Sequence, residues 1–215
     1  MRNVSALSLA LCSLLSSLLF SAAAAAKDYS ISSGCPSVRL PGSMAGFVAT
    51  VADTVADSSG LVSGRYAGVK PDHDGGVCAG RVYKATKAGL KIWRVSSSPT
   101  LSSAMGGWWS ATKSDDEFTS RKKWRTENAV CRGWNRNADY IFSCTVPKDM
   151  LLLVGPSQSA DCDKLTTGQS GSARSDEKYP TASSQQLYIS RPDLAKLHCS
   201  TPAKISRWTD VTPKG

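Results

Sequence analysis

Between Ser43 and Ala56 the apolar residues Met44, Phe47, Val48, Val51 and Val55 recur at steps of three and four, the spacing that places side chains on one face of a helix. Ser43 suits an N-cap, and the cluster Ser58, Ser59 and Gly60 suits a stop. The pattern predicts one N-terminal amphipathic helix. Its polar face carries Thr50, Asp53, Thr54 and Asp57 rather than cations, which argues for a helix laid on a core and against one laid on an anionic membrane. Residues 64–80 are dense in Gly, Pro and Asp and predict a loop. Beyond them the runs KIWRV (91–95), YIFSCTV (140–146), MLLLV (150–154) and LYI (187–189) predict strands. Residues 114–130 open on Asp115, Asp116 and Glu117 and turn basic, the charge order that a helix dipole favours, so a second helix is predicted there. Residues 163–184 are rich in Ser, Thr, Gly and Lys and predict a long exposed loop. The last strands leave little room for crossover helices, which predicts an α+β domain with a mixed, mostly antiparallel sheet.

The first 26 residues change the setting. Arg2 precedes an apolar run from Ala6 to about Phe20, and an alanine tract follows; this is the layout of a cleaved secretory signal. Ser13, Ser16, Ser17 and Ser21 interrupt the run, which argues against a membrane-spanning helix. With the cut near Ala26, residues 27–215 are expected to form one secreted domain. No later apolar stretch is long enough to span a membrane.

Six cysteines follow the signal: Cys35, Cys78, Cys131, Cys144, Cys162 and Cys199. An even set in an oxidising compartment predicts three disulfides. Cys144 and Cys162 flank what reads as a strand–turn–strand hairpin, so that pair is the expected one. No C-x-x-C pair or histidine stands at ligand spacing, which argues against zinc. The formal net charge of +9 favours an anionic partner without choosing among nucleic acid, lipid and phosphorylated small molecules.

Candidate chemistry is scattered. In a strand over KIWRV, Arg94 faces away from Trp93 and Val95, either toward solvent or as a guanidinium fork for phosphates at a cleft mouth. In GGWWSATK, Trp108 and Trp109 are either core rings or a stacking wall beside Ser110 and Thr112. Gln186 opens the last strand and can donate and accept at once. His73 and His198 could serve as base and acid of a secreted basic ribonuclease, and a non-catalytic, disulfide-rich binding protein is a third reading.

In order, KIWRV, GGWWSATK, AVCRGWN (129–135), YIFSCTVPKDMLLLVG (140–155) and SSQQLYI (183–189) resemble the motif succession of ADP-ribosyltransferase-fold toxins, in particular polymorphic toxin domains and necrotizing-toxin-like NAD glycohydrolases. The resemblance spans residues 91–189 and implies an ADP-ribosyltransferase-like, NAD-binding core. It assigns Arg94 to the NAD phosphates or ribose, Ser110 to the nicotinamide pocket with Trp108 and Trp109 as its wall, and Gln186 to the catalytic position of the last strand. Tyr188 stands where transferases carry a glutamate, so the resemblance leans toward NAD hydrolysis over protein ADP-ribosylation. NAD is then the substrate, and a target protein or a delivery subunit is a possible partner of such a toxin or effector.

Overall fold

The computed structural model describes residues 26–31, 34–63, 67–163 and 176–210. Residues 1–25 of the expected signal (1–26) lie outside them, as do residues 164–175 of the expected long loop. In chain order the elements are β1 (Tyr29–Ser30), a 3-10 turn (Gly42–Met44), β2 (Val48–Thr50), α1 (Asp53–Ser58), β3 (Ala79–Ala85), β4 (Leu90–Ser96), α2 (Leu101–Ala104), β5 (Trp108–Trp109), α3 (Ser114–Glu117) and α4 (Arg121–Asn128). They continue with β6 (Tyr140–Val146), β7 (Leu151–Pro156), β8 (Ala160–Asp161), β9 (Lys178–Tyr179), β10 (Gln185–Tyr188), a second 3-10 turn (Arg191–Lys196), β11 (His198–Cys199) and β12 (Ala203–Lys204). The domain is α+β, its named strands pair antiparallel, and its helices are short.

Two consecutive strand pairs, β3–β4 and β6–β7, cross between sheets instead of pairing as hairpins. β3 pairs with β7 and β4 with β6, so both the β3–β4 and the β6–β7 connections step from one sheet to the other. The first sheet runs β1-β3-β7-β10-β5 with β2 also on β3; the second has β4 on one edge of β6, and β11 and β12 on the other. A bridge between Trp93 and Ser110 joins the sheets along one edge, with each backbone N–H donating to the other residue's carbonyl at 2.8 Å.

Strand alternation then sorts the apolar residues. Tyr83, Leu152, Val154 and Leu187 of the first sheet meet Leu90, Ile92, Phe142 and Val146 of the second in the main core, and Met44 packs into the same cluster. On the outer face of the first sheet Val82, Leu153 and Tyr188 pack with Ala56, Leu61, Val69 and Val77. On that of the second, Val95 and Ile141 pack with Phe118, Trp124 and Ile205. The tightest contact is backbone to backbone: a Cβ at Gly155 would overlap the Ala79 carbonyl.

Three expectations are corrected. The helix over 43–56 is a 3-10 turn, a strand and a six-residue helix. Gly46 takes a positive φ of 74°, which a helix cannot contain, and Val48–Thr50 pairs with Ala85–Tyr83, where β-branched residues fit well. The helix over 114–130 breaks at Phe118, which turns into the core, and Ser120 caps a fresh start by accepting from the Lys123 N–H at 3.2 Å. The expected Cys144–Cys162 bridge is replaced by Cys35–Cys78, Cys131–Cys162 and Cys144–Cys199. Because β6 and β7 belong to different sheets, the cysteine facing Cys144 is its register partner on β11, Cys199, with Cα atoms 4.0 Å apart.

Non-reducing peptide mapping is expected to recover the three pairs 35–78, 131–162 and 144–199; a peptide joining Cys144 to Cys162 would contradict the strand crossing. Gly155→Ala is expected to cost about 2 kcal/mol, because the group it meets is backbone that cannot move aside, and thermal unfolding measures this.

Candidate functional site

The segment from Cys35 to Met44 forms a strap across the end of β10. Cys35 bonds it to Cys78 at the head of β3. The Gln185 side chain holds its middle: Oε1 accepts from the Arg39 N–H at 3.0 Å, and Nε2 donates to the Ser37 carbonyl at 3.4 Å. At the far end Met44 is fully buried, and the Ser43 hydroxyl donates to the Ala111 carbonyl at 2.9 Å. The strap is thereby pinned to the segment that follows β5. That segment is fixed in turn by the Ser110–Trp93 bridge, and the Ser110 Oγ accepts from the Thr112 N–H at 3.3 Å.

Between strap and segment lies a cleft of about 170 Å³. Arg39, Leu40 and Pro41 line one side, Ser110, Ala111 and Thr112 the other, and Glu117, Asn128, Ser184 and Gln185 complete it. Its charged groups come from sequence that looks unremarkable. α3 carries three successive carboxylates. Asp115 is 8% exposed and bonded to Lys113 at 3.1 Å, and Asp116 meets Arg207 at 2.6 Å. Glu117 has no side-chain partner among the described residues and stays exposed at the cleft. Arg39 is likewise exposed, and among the described residues only its backbone N–H is engaged. The cleft is therefore lined by Glu117 and Arg39, neither with a side-chain partner among the described residues, and by Ser110, Thr112 and Ser184, a set suited to a polar substrate bearing an anionic group.

Of the five residues to which the resemblance assigns roles, Ser110 alone lines this cleft. Arg94 does face away from Trp93 and Val95, but that face is the protein interior: its register partner is Phe142, and its guanidinium lies 6.0 Å from the Trp109 ring centre. Nε donates to the Ala104 carbonyl at 2.7 Å and Nη1 to the Trp108 carbonyl at 2.6 Å, which clamps the two ends of the 104–108 segment. Desolvation pulls its pKa down to about 10, so it stays cationic at neutral pH. Trp109 is 3% exposed and packs edge-on against Phe142 at 5.5 Å, while Trp108 is on the opposite face, 4.8 Å from the Tyr188 ring. Two consecutive strand residues cannot both wall one pocket. Gln186 is 6% exposed and donates from Nε2 to the Asn128 carbonyl at 2.8 Å and the Ser157 hydroxyl at 2.7 Å. It ties β10 to the end of α4 and faces away from Gln185.

The histidines do not meet. His73 approaches Asp161 at 3.5 Å, beyond the far end of β7, whereas His198 opposes Thr145 beside the β6–β7 turn. A base–acid pair on one phosphodiester needs them together, so this arrangement does not serve the ribonuclease reading. Glu117, Arg39 and Gln185 went unmarked in the sequence. Gln185 could have been found from LYI, because Leu187 and Ile189 point to the core and fix which of the two glutamines shares their face; Arg39 and Glu117 carry no such signal.

Arg94→Ala is expected to lower stability by about 3 kcal/mol, since it leaves two carbonyls unpaired in the core. Denaturant unfolding measures the loss, and an unchanged midpoint would show that the clamp does not hold the fold. Comparison with known proteins finds no matching family model, no matching curated protein and no matching solved structure.

Proposed function

We propose that the chain is a secreted toxin or effector that hydrolyses the nicotinamide–ribose bond of NAD, with its reaction site in the cleft between the strap and residues 110–112. The observation that carries this reading is the pairing in one cleft of a free guanidinium, Arg39, with a free carboxylate, Glu117, beside the hydroxyl of Ser110, the position that the resemblance assigns to the nicotinamide pocket. Export is supported by the N-terminal signal pattern, and the three disulfides suit an oxidising compartment. Among the described residues no helix is long and apolar enough to cross a membrane.

In this reading Arg39 takes the pyrophosphate, for which a planar fork of donors is suited. The cleft takes the nicotinamide ribose, with Ser110 and Thr112 on its hydroxyls. The C1′–N bond breaks, nicotinamide leaves with the bonding pair as a neutral molecule, and positive charge develops on the ribose ring. Glu117, already in place, lies against that charge, which is how a carboxylate lowers the barrier to an oxocarbenium-like state. Water then adds to C1′, and its proton passes to Glu117 and on to solvent, giving ADP-ribose, nicotinamide and one proton. The roles that the resemblance assigned to Arg94 and Gln186 thus pass to Arg39 and Glu117, while Arg94 and Gln186 hold the walls.

The oxidised protein from residue 27 onward, incubated with NAD, is expected to release nicotinamide. Glu117→Gln should lower kcat about 100-fold with little change in KM, and Arg39→Ala should chiefly raise KM. Chromatographic assay of nicotinamide decides it: no release by the wild type sinks the activity, and release equal in all three proteins moves the site elsewhere.

A further inference from the structure

The outer face of the second sheet is only half covered. Its lower rows, Val95 with Ile141, lie under Phe118, Trp124 and Ile205. The rows above are set by register, and Trp93 packs in part against that same cluster. Lys91, Thr145 and His198 form one row across β4, β6 and β11; Trp93 and Ser143 form the next. Ser200 extends it, donating its N–H to the Ser143 carbonyl and accepting the Ser143 N–H on its hydroxyl. Lys91, His198 and Ser200 are exposed, and Trp93, Ser143 and Thr145 are half-buried.

Two ammonium groups attend the indole: Lys91 Nζ lies 5.8 Å and Lys113 Nζ 5.9 Å from the centre of the Trp93 ring. No Asp or Glu occurs in β4, β6 or β11. Asp115 pairs with Lys113 through Oδ2, while its buried Oδ1 has no hydrogen-bond partner among the described residues; Asp116 is held by Arg207, and Glu117 lines the cleft. The face therefore presents a half-buried aromatic ring beside Lys91 and the Lys113–Asp115 ion pair, with hydroxyl and imidazole donors alongside, on a chain of formal net charge +9.

We propose that this face binds single-stranded polynucleotide, with a base against Trp93, one flanking phosphate on Lys91 and the other on Lys113 in competition with Asp115. Bases stack on side chains that stand on a sheet, and lysines beside them track the backbone. An anionic polysaccharide would use the same lysines but has no flat ring to lay on the indole, so the aromatic term separates the two. The surface is distinct from the NAD cleft and does not depend on that reading.

The test is fluorescence anisotropy of a labelled twelve-residue oligouridylate with the full oxidised protein at low salt. Binding is expected to weaken steeply with added salt, as phosphate contacts require. Trp93→Ala should weaken it at least tenfold, Trp93→Phe should restore most of it, and Lys91→Ala/Lys113→Ala should weaken it and flatten the salt dependence. Lys91→Ala alone should bind less RNA while its nicotinamide release is unchanged. No binding at low salt overturns the proposal, as does equal affinity in wild type and a folded Trp93→Ala. Heparin binding that survives Trp93→Ala, with no oligonucleotide bound, assigns the face to polysaccharide and overturns it equally.

Discussion

A single guanidinium holds the seam between the two sheets. Arg94 projects from β4 into the interior and is satisfied by two carbonyls, those of Ala104 and Trp108, rather than by a carboxylate. That choice suits a mostly buried cation: carbonyl dipoles solvate it without bringing a second charge out of water. It also decides the course of the chain. With both ends of the 104–108 segment clamped, β5 lies against β10 while Ser110 reaches β4, and the sheets close along that edge. The cleft, one wall of which is Ser110 to Thr112, exists because this segment cannot drift.

The second wall has a different origin. The strap owes little to secondary structure and much to its ties: the Cys35–Cys78 bond, the Gln185 amide and the Ser43 hydroxyl. Gln185 and Gln186, adjacent in sequence, point to opposite faces of β10, and each fastens a separate layer, the strap on one side and the end of α4 on the other. A strand four residues long thereby carries cross-links to both of its surroundings, which explains why a polar pair is tolerated in a strand otherwise built of Leu187 and Tyr188.

Much of the strand framework was legible. KIWRV, YIFSCTV and MLLLV are β4, β6 and β7 within a residue or two, since runs of β-branched and aromatic residues have few alternatives in a sheet. The alternation argument for Arg94 was also sound as far as it went. What sequence could not supply was which side of the strand would be solvent, and the interior is the side on which an arginine is least expected. The same gap misplaced Gln186 and the tryptophan pair. The helix over 43–56 failed because a three-and-four spacing counts apolar residues and ignores Gly46, whose left-handed backbone ends any helix. The disulfide expectation failed because proximity in sequence implied a hairpin, and the chain crosses between sheets there instead. Glu117 and Arg39 were out of reach for a simpler reason: the role proposed for them comes from what neighbouring charges leave unpaired among the described residues.

The nested strand order has a consequence for how the molecule is made. β10 comes late in the chain yet lies between β7 and β5 in the first sheet, and β11 and β12, later still, cover one edge of β6. A chain emerging N-terminus first therefore carries β7, one of its most apolar strands, with an open edge until residue 185 has left the ribosome. Open apolar edges invite pairing with other chains, and distant partners make closure slow. Residues 185–204 thus act as the closing piece of both sheets, and a truncation there would undo the architecture far upstream of the cut.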